Sequence, residues 1–460
     1  MNQEPDIALA GDLSSGQAAP AIGRYRWVIC ALLFFATTIN YIDRQILSLL
    51  KPILDEQLGW TSTQFGAINS AFQASYGVSL FFFGWFVDRY GTKIGYAVSI
   101  GAWSLAAIGH ALVNSVAGFF GARIALGLGE GGNFPAAVKA TAQWFPKRER
   151  AFATSLFNSG ANVGAILAPA VVPAIAYSFG WHWTFVIAGL AGLAWIAVWW
   201  PLFDSPEKSR RVSAGELAYI ESDAADAGAG KVTWRELLGH REAWSFIAAK
   251  FLTDPVWWFF LIWLPDYFKK TRHLDIKSSW LHLVSIYAII TVLSIFGGWI
   301  TGWLTSRGWS ITRARKTGMF VFALCVMPIA FATRVGDWTA VIIIGLAGAA
   351  HQAWSANLYT TVSDIFPKRA VASLIGIGST AGSLGGMGFP ILTGMVLDKF
   401  ANGYGIIFGF CSVAYVVAFA VNHLLAPRFE PLSSLLKNRP FWSVCESCRE
   451  RLPQPAAMPR

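Results

Sequence analysis

Three polar residues inside an apolar run set the first question. Asn40, Asp43 and Arg44 stand within residues 27–50, a stretch long enough to cross ~30 Å of hydrocarbon as a helix. Their i, i+3, i+4 spacing puts all three on one helix face. An Asp and an Arg in mid-membrane cost about 3 kcal/mol each on insertion scales, so they must face a bundle interior or a wet cavity. Either they neutralise each other and fix the packing, or they bind charge within the membrane. Further along, Arg123 and Glu130 lie two helical turns apart on one face, with Gly127 between them. A buried carboxyl can load and release a proton, and an arginine stays charged and forks onto a carboxylate. A structural ion pair is the alternative for Arg123 and Glu130. Together the two acids and two arginines form a pattern for exchanging protons against an organic anion.

Polar stripes elsewhere extend the pattern. Asn69, Gln73 and Tyr76 follow i, i+4, i+7 spacing, and Ser155, Asn158 and Asn162 repeat the theme. His351, Gln352, Ser355 and Asn357 form a third set. Each stripe alone reads as interhelical glue; several in one bundle suit a cavity that receives a polyol. Lys250 and Asp254, at i, i+4 before Pro255, pair at a kink, in either a structural or a functional role. Gly84-x-x-x-Asp88-Arg89-x-Gly91-x-Lys93 reads as a latch: Gly91 permits a tight turn, Asp88 meets a helix N-terminus, and Arg89 and Lys93 pair with carboxylates. A plain basic loop is the alternative.

These residues need a membrane bundle to hold them. The chain of 460 residues is 55% hydrophobic and only 13% charged, whereas soluble domains carry about 25% charge. About twelve spans follow from length and hydropathy, the fourth near 116–137. The hydrophilic stretch 204–243 divides them six and six. The expected domains are a cytoplasmic segment 1–26, bundles 27–203 and 244–426 around that central loop, and a tail 427–460. Phe145-Pro146-Lys147-Arg148 recurs as Phe366-Pro367-Lys368-Arg369, and at the same offset Gly164 falls on Gly385, Pro169 on Pro390 and Glu130 on His351. Parallel six-span repeats are an architecture of secondary transporters. Around Gly298, Gly302 and Arg307-Gly308 the second half carries only a worn copy of the latch.

Charge orients the bundle. Of the 36 basic residues, Arg44, Arg123 and Lys250 fall in spans. With both termini in the cytoplasm, only Lys51, Lys269, Lys270, Arg272, Lys277, Arg334 and Lys399 fall in outer loops, the bias of the positive-inside rule, against which the loop after the seventh span, with four of the seven, stands alone. The net charge of +10 therefore reflects topology and implies no nucleic-acid partner. Five cysteines give no disulfide framework. Cys445-x-x-Cys448 lacks the two further ligands that a metal site needs, so no metal is expected. No cleaved signal is read at the N-terminus.

The 6+6 layout, the Gly84–Lys93 motif and the central loop resemble the major facilitator superfamily, an all-α membrane fold of twelve transmembrane helices in two six-helix bundles. Asn40-Tyr41-Ile42-Asp43-Arg44 and the segment RIALGLGEGGNFP at 123–135 are similar to the anion:cation symporters. GTKIGYA at 91–97, KATAQWFPKRER at 139–150 and HQAWSANLYTTVSDIF at 351–366 are similar to the hexuronate transporters. The resemblance implies proton-coupled uptake of hexuronates such as glucuronate and galacturonate by alternating access, in a bacterial inner membrane. No cofactor beyond the proton gradient is implied, and the expected unit is a monomer in lipid. By match of motif, Asp43 and Glu130 become the proton carriers. Arg44 becomes the substrate-carboxylate or coupling residue, with Tyr41 and Tyr76 lining the cavity. Arg123 would govern Glu130 or touch substrate. Gln73, Asn158, Asn162, His351, Gln352 and Asn357 complete the expected polar lining.

Galactonate, glucarate and other organic anions remain alternative substrates. A membrane-embedded enzyme would need a metal cluster or a nucleophile–base pair, and the sequence offers none. A sensor would usually carry a soluble output domain, for which the tail is too short.

Overall fold

A computed structural model describes residues 23–222 and 234–432. Cys445 and Cys448 lie outside the described residues, as do the first 22 residues and residues 223–233. Helices α1 (Tyr25–Leu58), α2 (Ser62–Tyr90), α3 (Thr92–His110), α4 (Val116–Glu130), α5 (Asn133–Trp144), α6 (Lys147–Phe179) and α7 (Trp181–Leu202) build the first half. Two short helices, α8 (Ala214–Ile220) and α9 (Trp234–Leu238), stand in the central stretch. The second half is α10 (Arg241–Arg272), α11 (Ile276–Ser306), α12 (Ile311–Val326), α13 (Asp337–Ile365), α14 (Lys368–Lys399) and α15 (Gly403–Leu425). Among the described residues, nine helices are long and apolar enough to cross a membrane.

The expected fourth span is not one helix. It breaks at Gly131-Gly132 into α4 and α5. Pro135 has no N–H to donate back to Gly131, and the break frees carbonyls at its edge. The Ser79 hydroxyl donates to the Leu128 carbonyl, and the Ser99 hydroxyl donates to that of Gly129 at 2.7 Å. Glu130 thus sits on the last residue of a helix, held from two neighbours.

The halves meet through equivalent pairs. Within the halves α1 packs on α6 and α10 on α14; between them α2 packs on α14 and α6 on α11. Where α6 crosses α1, a side chain at Gly160 would strike the Phe34 carbonyl, and one at Gly164 would strike the Thr38 carbonyl and Tyr41. The Gly160-x-x-x-Gly164 spacing is therefore a packing face that sets the position of Tyr41. The turn after α2 is tight: Gly91 has φ +87°, and Gly308 has +88° in the second half. Asp88 accepts from Lys139 at 2.8 Å and Lys93 pairs with Asp204 at 2.8 Å. Arg89 is exposed, with no ion pair among the described residues.

One contact lies beyond any motif. Glu216 of α8, almost fully buried, accepts from the first N–H groups of α1, Tyr25 at 3.1 Å and Arg26 at 3.0 Å. It also pairs with the Arg26 guanidinium at 3.3 Å. A carboxylate at a helix N-terminus satisfies orphan donors and meets the positive end of the helix dipole. Glu216→Ala is expected to destabilise the first half by ~2 kcal/mol. The measurement is the thermal midpoint in detergent. A midpoint equal to that of the unsubstituted protein would mean that the cap contributes nothing.

Candidate functional site

The site forms where α1, α2 and α4 meet α10. Arg44 donates through Nε to Glu130 Oε2 at 2.6 Å, so the two helices exchange a charge-assisted bond. Among the described residues the alternative intrahelical pairings do not occur: Arg44 pairs with neither Asp43 nor any other acid on α1. Aromatic rings surround the guanidinium. Its carbon lies 4.4 Å from the ring centre of Tyr76, 5.2 Å from Tyr41, 5.6 Å from Phe72 and 5.9 Å from Trp258. Such faces attract a cation most strongly when water is excluded. Trp258 comes from the opposite half, and no spacing or motif singles it out.

Arg123 does not bond Glu130. Its Nη2 reaches the Arg44 carbonyl at 3.4 Å, and its guanidinium lies 5.5 Å from the Phe72 ring. Asp43 is 2% exposed, and among the described residues neither of its oxygens has a hydrogen-bond partner. Glu130 and Arg123 both lie within electrostatic reach of it. An ionised carboxylate without donors is costly to bury, and a neutral carboxylic acid much less so.

A cavity of about 20 Å³, lined by Arg44, Asn69, Phe72, Gln73, Arg123 and Trp258, adjoins the pair. That is room for a single water. Asn69 and Gln73 thus reach the site as their spacing predicts, together with Gln45, which no stripe included. Asn158 is exposed and Asn162 half-buried on α6. On α13, Gln352 is half-buried. His351 stacks on Trp257 with ring centres 5.3 Å apart and bonds Tyr415 at 2.5 Å. Asn357 is taken up structurally: Oδ1 accepts from Arg315 at 3.2 Å and Nδ2 donates to the Ala353 carbonyl at 2.9 Å.

Away from the termini the halves are pinned together. Lys51, expected in an outer loop, lies inside α1 and is 1% exposed. It donates to Asp55 at 2.6 Å and to Asp266 of α10 at 2.8 Å. The second Asp266 oxygen accepts from Tyr404 at 2.5 Å. Asp398 of α14 accepts from the N–H groups of Ser62 at 3.0 Å and Thr63 at 2.8 Å, capping α2. The i, i+4 spacing of Lys51 and Asp55 was the available signal, masked by the loss of apolar character beyond Leu50. Among the described residues, no ion pair joins the halves at the other end.

The profile of the Major Facilitator Superfamily matches residues 33–390. The chain belongs to this superfamily. It is a multi-pass membrane transporter and not an enzyme. It is 28% identical to the D-galactonate transporter of Escherichia coli O6:H1, over 86% of this chain and 93% of that one. It is 29% identical to the hexuronate transporter of Escherichia coli K12, over 81% and 88%. The fold superposes on a bacterial homologue of the human lysosomal transporter Spinster with a TM-score of 0.72 at 17% identity, covering 88% of this chain and 97% of that one.

Proposed function

We propose that this protein is a proton-coupled symporter that imports hexuronates such as glucuronate and galacturonate by alternating access. The observation that carries the reading is Arg44, caged by aromatic rings and tied to Glu130, beside Asp43, whose carboxyl has no hydrogen-bond partner among the described residues. Arg44 takes the substrate carboxylate, displacing or sharing its bond to Glu130. Asp43 and Glu130 carry the protons. Relatives that transport hexuronate and D-galactonate support a sugar acid as cargo. The end pinned by Lys51–Asp266 and Asp398 is then the outer face, the state is closed to the outside, and both termini are cytoplasmic in a bacterial inner membrane.

The test is uptake of labelled glucuronate into proteoliposomes, with and without an acid-outside pH gradient. The expected result is accumulation that follows the gradient, is inhibited by galacturonate and is indifferent to glucose. A neutral hexose brings no anion to the guanidinium and forgoes the charge-assisted bond that a carboxylate makes, about 3 kcal/mol, or roughly a hundredfold in affinity. Equal inhibition by glucose would contradict the carboxylate-centred site. Inhibition by galactonate but not galacturonate would keep the mechanism and move the cargo to aldonates.

A further inference from the structure

The second half carries its own charged pair on α10, the helix that brings Trp258 to Arg44. Lys250 Nζ and Asp254 Oδ2 lie 2.7 Å apart on α10. Lys250, Asp254 and Trp258 follow i, i+4, i+8 spacing and so share one helix face. The Trp258 ring centre lies 5.9 Å from the Arg44 guanidinium, which places Asp254 ~6 Å and Lys250 ~12 Å along the helix axis from that point. Lys250 also lies 4.8 Å from the Tyr359 ring centre, and Tyr359 is within electrostatic reach of Tyr41 in the first half. The packing is fitted around the pair. A side chain at Gly382 would occupy the space of the Asp254 carboxylate, and one at Gly386 would strike Trp258. Asp254 remains partly accessible while Lys250 is buried.

We propose that Lys250 and Asp254 hold the polyol end of the sugar acid and select against substrates with a second carboxylate. This rests on the reading that Arg44 holds the first carboxylate. The pair is neutral as a unit. Lys250 has N–H groups left to donate to hydroxyl oxygens, and Asp254 has lone pairs left to accept from hydroxyl hydrogens. Hydroxyls therefore satisfy both partners. A second carboxylate would bond Lys250 but would also face the Asp254 carboxylate, and like charges brought together in a poorly solvated site repel strongly. Specificity of this kind is built from the repulsive element as much as from the attractive one. Removing the Asp254 charge should turn Lys250 into a free cation facing Arg44 across the site, suited to a dicarboxylic sugar acid.

The experiment measures binding of galacturonate and of the dicarboxylate galactarate to the purified full chain, by competition and by tryptophan fluorescence. The unsubstituted protein is expected to favour galacturonate at least tenfold. In Asp254→Asn that preference should shift toward galactarate by tenfold or more, and in the double variant with Lys250→Gln the gain should vanish. A galactarate-preferring unsubstituted protein, or an unchanged ratio in Asp254→Asn with galacturonate still bound, would overturn the assignment. If Asp254→Asn does not fold, Lys250→Gln alone decides. It should weaken galacturonate about tenfold and leave a short hydroxy acid such as glycolate unaffected, whereas equal weakening of both would overturn the proposal. Failure of the unsubstituted protein to bind any of these acids would instead strike the carboxylate-centred reading, and this proposal with it.

Discussion

Asp43→Asn is expected to abolish accumulation of sugar acid against its gradient while leaving the protein folded. The amide has nearly the shape of the carboxylic acid, and Asp43 has no hydrogen-bond partner among the described residues for the change to break. It is 2% exposed, so the substitution trades one buried polar group for another and stability should change by no more than about 1 kcal/mol. What disappears is the ability to load and release a proton. Glu130→Gln should behave differently, because Glu130 is bonded to Arg44 at 2.6 Å. Gln removes the counter-charge and weakens that bond, which leaves the guanidinium freer to take a substrate carboxylate. Binding should be retained or tightened, exchange between two filled compartments should persist, and uphill transport should fail. The measurement is the ratio of internal to external labelled substrate in proteoliposomes under an acid-outside gradient, with binding measured in parallel. Accumulation by Asp43→Asn equal to that of the unsubstituted protein would sink its assignment as a proton carrier. Loss of binding in Glu130→Gln, with coupling per bound substrate intact, would make Glu130 a substrate contact.

The residues that could be read from sequence are those whose meaning is carried by local helical spacing. Arg44 in an apolar run, and Asn69 and Gln73 on one face, line the cavity, and Tyr76 of the same face lies over the Arg44 guanidinium, because a helix of known period must present them together. Spacing says nothing of partners across helices. Arg44 pairs with Glu130 and not with its neighbour Asp43, and Arg123 uses its guanidinium on a backbone carbonyl. Trp258, Gln45 and Glu216 act through contacts between distant segments, which no window of sequence contains. Asn357 shows the converse error. Its stripe is real, but Arg315 and a backbone carbonyl claim its amide. The apolar run ends at Leu50, which predicts an outer loop at Lys51, yet α1 continues to Leu58, and the charge is buried by a partner on the other half. The Gly131-Gly132 break was legible in principle from two glycines followed by Pro135, a sequence that interrupts helical hydrogen bonding.

Arg44→Lys is expected to weaken substrate binding about a hundredfold even though the charge is conserved. The guanidinium is planar, with N–H groups in a fixed fork that meets a carboxylate through two parallel bonds. Glu130 engages it through Nε, so the geometry offers an edge to a second carboxylate while the first stays close. An ammonium is a compact point charge. Placed beside Glu130 it would be held by that carboxylate and would present no matching edge to the substrate. It would also lose the flat face that lies 4.4 Å from the Tyr76 ring centre and 5.2 Å from that of Tyr41. Loss of a charge-assisted bond in a desolvated site is of the order of 2–3 kcal/mol, which is the hundredfold stated. Galacturonate binding to the purified protein, followed by titration calorimetry, should shift to about a hundredfold higher concentration in Arg44→Lys. Affinity and transport rate unchanged by the lysine would reduce Arg44 to a counter-charge for Glu130, and the carboxylate of the substrate would then have to be held elsewhere, with Arg123 the nearest remaining cation.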